Sequence, residues 1–190
     1  VDVAISSLLR LKNKVTRFPL QTKRVRLINS HAAYFSVREK YDQIILFDVL
    51  EHILDDGRTI GNLSRHLAPQ GQILISTPHR DHIPIADEGV SAREDGGHVR
   101  KGYSREDFQE LLARYGLIVI RQETAGGWFT RRLQSFTNRI YRLTRSQALF
   151  FLARLAVRPL TRLDWLIPGY PPYSLLVVAA FRHPSRVLNV

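Results

Sequence analysis

Glu51-His52 raises the first question of chemistry in this 190-residue chain, because it directly follows an apolar, β-rich run, IILFDVL. A neutral imidazole can accept a proton near pH 7, whereas Lys or Arg cannot without strong perturbation. The same imidazole could instead position a substrate or hydrogen-bond the next loop. A second concentration of polar groups follows Pro78, in HRDHIPIADEGVSAREDGGHVRKGYS. Connections of that length are uncommon without a task. The loop carries His98 and Tyr103, which join His52 as candidate catalytic residues on the substrate side. His79 and His82 offer metal-donor atoms that Asp81, Asp87 or His98 could complete. Their spacing matches no ligand motif, the chain has no Cys, and no metal site is expected.

The elements that must position these groups lie between Tyr41 and Pro78. IILFDVL and GQILIS are apolar runs of strand length, the second stopped by Thr77-Pro78. Between them Ile60, Leu63 and Leu67 recur at spacings of three and four, with Asp55-Asp56 at the start and Gln70-Gly71 beyond the end. That pattern predicts an amphipathic crossover helix and so a strand–helix–strand unit. Neither strand alternates as a half-wet sheet would, so both are expected as adjacent inner strands of a parallel sheet covered by helices. Open sheets of this kind bind ligands outside the carboxyl ends of their strands, which is where Phe47, Asp48 and His52 fall.

YDQIILFDVLEHI followed by LSRHLAPQGQILISTP resembles the fourth and fifth strands of class I methyltransferases that use S-adenosylmethionine. The ordered combination of YD, VLEH, the Leu-Ala-Pro-X-Gly turn and the final Thr-Pro carries the resemblance. It implies a Rossmann-like α/β sheet, mostly parallel, with Tyr173–Phe181 (YSLLVVAAF) as a C-terminal antiparallel edge strand. It implies S-adenosylmethionine as cofactor, with Asp2 at the ribose hydroxyls, Ser30 and His31 in the adenine neighbourhood, and Phe47 and Asp48 bordering the cleft. A carboxylate suits the ribose because each of its oxygens can accept a hydroxyl hydrogen. HVRKGYS matches the stretch that leads from the active-site loop into the next helix, which places His98, Arg100 and Tyr103 beside the substrate.

The resemblance also exposes a gap. A first strand and glycine-rich turn should precede Asp2, yet no Gly occurs before Gly57. Close backbone approach to a cofactor is what glycine supplies. The expectation is an N-terminally incomplete domain that binds cofactor weakly by itself, or a relative that retains the fold without catalysis. The remaining elements are a helix opened by Ser6 or Ser7, a loop at Phe18-Pro19, a third strand over Arg24–Asn29, a Ser104-capped helix and a buried strand over Leu117–Ile120.

Between the last two strands lies a helical insertion, 127–170, within one methyltransferase-like domain spanning 1–190. Phe129, Leu133, Phe136, Ile140 and Leu143 repeat at helical spacing, and from Gly126 to Arg162 there are eight Arg and no acid. Such a basic amphipathic stretch fits a cap over the cleft or an interfacial helix on an anionic membrane. The formal charge of +11 admits nucleic acid as a partner. An RNA-binding or RNA-modifying protein is less favoured, because base stacking needs exposed aromatics and Phe129 and Phe136 sit at helical spacing on an apolar face. The reading is a methyltransferase for a small or lipid-like acceptor, with scaffold and RNA readings as alternatives. No secretory signal or spanning run is recognisable, so a cytoplasmic protein is expected, with peripheral membrane contact through 128–165.

Overall fold

The structure is a computed structural model that describes residues 1–15, 25–83 and 89–182. Four strands form one sheet in the order β1-β2-β4-β3, with β1 over Tyr41–Phe47, β2 over Leu67–Pro78, β3 over Leu117–Ala125 and β4 over Ser174–Phe181. β1 and β2 pair in parallel, in register at Ile45 and Leu74. β4 runs antiparallel to both β2 and β3. Three of the four strands thus end at one edge of the sheet, and β4 begins there.

The helix between β1 and β2 forms as the apolar spacing predicts. It covers Asp56–His66 and is capped by the Asp55 carboxylate, which accepts from Arg58 N at 2.8 Å. Calling α1 the helix over Ile5–Val15, this crossover is α2. It buries Thr59, Ile60 and Leu63 against a core of Leu46, Leu50, Ile73, Ile75, Phe108, Leu112, Leu175 and Val177. Asn62 adds a polar anchor, its amide donating to the carbonyls of Ala32 and Phe35 at 2.9 Å each. α3, over Arg105–Ala113, starts in a reciprocal capping box between Ser104 and Asp107.

Three expectations need correction. β1 is not an inner strand: among the described residues it pairs only with β2, leaving Ile45 57% and Phe47 54% exposed. Its apolar run has the composition of a strand covered on both sides, but no described strand flanks it on the other side. β4 is antiparallel as expected yet lies inside the sheet, where alternate residues from Leu175 to Ala179 are fully buried. An apolar strand gains most by pairing on both sides, where its side chains are covered. Arg24–Asn29 forms no regular strand over its described residues. A single parallel bridge joins Asp2 to Asn29, and Val3 and Val25 around it are exposed, so the pair has no apolar layer on which to extend. Arg24 and the Phe18-Pro19 loop lie outside the described residues.

The insertion is helical. α4 spans Trp128–Thr144, α5 spans Gln147–Val157, and a 3-10 segment follows over Arg158–Leu166. Asp164 closes it by accepting from the backbone N–H groups of Gly127 at 2.8 Å and Thr130 at 3.0 Å, and from the Thr130 hydroxyl at 2.5 Å. Burial works against the Asp164 charge, but these hydrogen bonds outweigh it and hold its pKa below the usual carboxylate value.

Candidate active site

Asp48, the residue after β1, has φ +53°, a left-handed conformation uncommon for a non-glycine residue and most often seen where a turn is over-determined. Its N–H donates to Ser76 O at 2.9 Å, which ties the ends of β1 and β2 together. The chain then makes one 3-10 turn over Leu50–His52. That turn drops Leu50 and Glu51 into the interior and leaves His52 half-buried just beyond the carboxyl end of β1.

The long loop returns to this turn and is stitched to it. Val99 N donates to Glu51 O at 2.8 Å. The Arg100 guanidinium donates to the carbonyls of Ile53 at 2.7 Å and Leu54 at 2.9 Å, and pairs with the Asp56 carboxylate. The Tyr103 hydroxyl donates to Asp56 Oδ2 at 2.8 Å. His98 is thereby held against His52, their rings edge to face with centroids 4.7 Å apart. His52 Nδ1 donates to Gly97 O at 2.9 Å, which leaves Nε2 of that ring as the basic nitrogen. Further along, Glu94 bridges His31 Nε2 at 3.1 Å and Leu54 N at 2.6 Å.

The expected catalytic group therefore divides. His52 and His98 meet, while Tyr103 is buried, 4% exposed, its ring stacked on Phe108 at 4.6 Å. Burial, and the Asp56 carboxylate beside it, push the Tyr103 phenol above its ordinary pKa, so it acts as a hydrogen-bond donor. Among the expected cofactor contacts, Phe47 presents an exposed ring at the strand end. Ser30 and Asp2 are adjacent through Ser30 N donating to Asp2 O at 3.1 Å. Asp2 Oδ1 accepts from Ala4 N at 2.7 Å ahead of α1, and His31 Nδ1 accepts from Ala33 N at 3.1 Å. His79 and His82 turn toward the loop itself, with His82 Nδ1 donating to His79 O at 2.7 Å. Asp87 lies outside the described residues.

The sequence presents Glu51 only as the neighbour of His52 and gives it no role. It is 1% exposed, and one of its carboxylate oxygens is buried without a hydrogen-bond partner. Burial pushes its pKa from 4.5 up to about 7, against the opposing pull of its own backbone N–H and of His52. The signal available was the position of Glu51 inside an apolar run. Asp56 and Glu94, the other two organising acids, gave no signal beyond charge.

The Glu51 environment has a pH signature. Below about pH 4.5 the carboxyl is protonated in both folded and unfolded chains, whereas between 4.5 and 7 only the folded chain keeps the proton. This stabilisation is complete below the lower value and is lost as pH rises through the upper one. In chelator-treated protein, wild type should lose about 2 to 3 kcal/mol more than Glu51→Gln between pH 4 and pH 8. Denaturant melts at each pH measure it, and parallel curves for the two proteins would refute it.

A cavity of about 520 Å³ lies within the insertion and is lined by Leu133, Phe150, Phe151 and Leu155. A smaller one of about 280 Å³ lies beside His98, Arg100 and His82. The smaller one adjoins the end of β2, through Arg80, Asp81 and His82. The insertion leaves and rejoins the sheet at that same edge, between the end of β3 and the start of β4. Arg131 of α4 reaches over to the carbonyl of Ile83, in the loop after β2.

A sequence-family description, "Methyltransferase domain", matches residues 7–122. The chain belongs to the methyltransferase domain family. No curated protein matches it. Solved structures similar to this methyltransferase-family chain include an O-methyltransferase from a trans-AT polyketide synthase multienzyme of Brevibacillus brevis, in complex with S-adenosyl-L-homocysteine. It is 17% identical, with a TM-score of 0.54 over 90% of this chain and 54% of that one. A protein from Galdieria sulphuraria assigned as a sarcosine dimethylglycine methyltransferase is 14% identical, with a TM-score of 0.64 over 94% and 68%. Coclaurine N-methyltransferase bound to N-methylheliamine and S-adenosylhomocysteine is 14% identical, with a TM-score of 0.55 over 94% and 59%. At these identities the likeness establishes the fold. The chain spans little more than half the length of the first and third of these structures.

Proposed function

We propose that this chain serves an S-adenosylmethionine-dependent methyltransferase acting on a small or lipid-like acceptor. The observation that carries the reading is convergence. The ends of β1 and β2, the His52–His98 pair, the stitched loop and the helical insertion all meet at one edge of a methyltransferase-family sheet. The residues present fit the cofactor in part. Phe47 offers an exposed ring, and Asp2 and Ser30 form a polar corner for the adenosine half, while no glycine-rich turn for the methionine half occurs before Gly57.

The bound cofactor would supply a methyl group already activated on a sulfonium. The protein's work is then to align the acceptor and exclude water. His52 and His98 would orient the acceptor, with Tyr103 and Arg100 fixing the loop that carries His98. Calorimetry with S-adenosylhomocysteine on the full-length protein tests the reading. The expected result is micromolar binding that Phe47→Ser weakens about tenfold. No heat at millimolar ligand, with the protein shown to be folded, would refute it.

A specific observation favours anionic membrane as the place where such an acceptor is met. α5 buries no residue; Phe151 is 66% and Leu152 58% exposed, and Arg154, Arg158 and Arg162 are exposed beside them. No described helix is long and apolar enough to cross a membrane, so the geometry suits lying on a surface. The protein should float with vesicles of mixed phosphatidylglycerol and phosphatidylcholine at low salt. It should float less at high salt, which screens the arginines, and not at all as the double variant Phe151→Glu, Leu152→Glu. Wild type left at the bottom of the gradient at low salt would remove this reading.

A further inference from the structure

Glu51, His52 and His98 each offer one ligand atom, and these atoms all lie within 4.8 Å of one another. We propose that the three bind a single divalent transition-metal ion of the zinc class, with a coordination position open to the cavity beside His98. Two imidazoles and a carboxylate at about 2.0–2.2 Å from one tetrahedral ion stand roughly 3.3–3.6 Å apart, so closure draws the donor atoms together by about an ångström, through rotation of the side chains. Two nitrogen donors favour zinc, iron or cobalt over magnesium or calcium, which prefer oxygen.

Independent features of the site point to a cation. Glu51 is 1% exposed and its Oε2 is buried without a partner; an orphaned buried acceptor is costly unless something satisfies it. His52 donates Nδ1–H to Gly97 O at 2.9 Å, the outer-sphere bond that fixes a ligating imidazole and directs its Nε2 lone pair elsewhere. The scaffold holding the donors together is backbone: Val99 N on Glu51 O at 2.8 Å fixes the residue after His98 to the residue before His52. The guanidinium of Arg100, two residues after His98, is paired with Asp56, which offsets its repulsion of an incoming cation. Three protein ligands, one of which (His98) lines a cavity of about 280 Å³, match an open site rather than a closed four-ligand structural one.

Binding of the ion stands on these residues alone. Only its role, accepting an acceptor oxygen at the open position, rests on the methyltransferase reading. The test is titration of the metal-free full-length protein with zinc chloride by calorimetry, and with Co²⁺ followed by visible absorption, both without cofactor or acceptor. One equivalent should bind, and His52→Ala and His98→Ala should each weaken binding at least tenfold while their circular dichroism stays native. His79→Ala should bind as wild type. Failure of wild type to take up one equivalent overturns the proposal, as does unchanged binding in folded His52→Ala and His98→Ala. Tight zinc binding without any binding of S-adenosylhomocysteine would instead overturn the methyltransferase reading and leave the metal site standing.

Discussion

Gly102→Ala should destabilise the protein by roughly 3 to 5 kcal/mol and lower its melting temperature by about 10 °C or more. Gly102 has φ +143°, and a Cβ there would stand 2.2 Å from the carbonyl oxygen of Pro78, which is backbone and cannot swing aside. The loop crosses the end of β2 at this point. Tyr103 N donates to Pro78 O at 3.1 Å, and Arg80 N to Tyr103 O at 2.9 Å. A methyl group would have to push the two segments apart and break that bridge. Gly96 is the control: its φ is +96°, but nothing lies within 4 Å of a Cβ built on it. Gly96→Ala should therefore cost only the backbone strain, about 1 kcal/mol. Thermal melts of the two variants beside wild type measure the difference, and equal melting temperatures would show that the Pro78 contact does not constrain the loop.

How much of this was legible from the sequence depends on which physical signal each feature leaves. The unit from β1 through α2 to β2 was readable because apolar periodicity, Asp55 and the Leu-Ala-Pro-X-Gly turn agree, and local agreement of that kind specifies local structure. Strand neighbours were less readable. IILFDVL and YSLLVVAAF carry nearly the same composition, yet one is at the edge and the other is buried between two strands. Burial of a strand depends on what else is present to cover it, and composition does not record that. The His52–His98 pairing was approachable, since both residues were expected on the same side of the site. Glu51, which has a ligand atom within 4.8 Å of one on each of them, was hidden because its neighbours in the chain suggested only a strand running on. Asp56 was read as an acid favouring the start of a helix, and it does occupy the first turn of α2. Its second role required knowing that a loop more than 40 residues later folds back onto it.

That second role predicts the order of effect in a series at Asp56. Its carboxylate pairs with the Arg100 guanidinium and accepts from the Tyr103 hydroxyl at 2.8 Å, and the two ionic side chains are only 22% and 27% exposed. Asp56→Ala would leave a half-buried guanidinium and a buried phenol each short of a partner. Stranding a charge costs far more than the pair contributes on balance, so we expect a loss of roughly 3 to 4 kcal/mol. Asp56→Asn keeps an acceptor for Tyr103 but no charge for Arg100 and should cost about half as much. Tyr103→Phe removes one neutral donor, leaves the ion pair intact, and should cost about 1 kcal/mol. Because Arg100 and Tyr103 hold the loop carrying His98, the three losses should be matched by the same order of deuterium uptake at the Val99 amide, whose partner is Glu51 O. Urea melts with hydrogen exchange on the folded variants read both quantities. A Tyr103→Phe variant as damaging as Asp56→Ala would show that ring packing on Phe108, disturbed by the lost hydroxyl, holds the loop, and not the carboxylate.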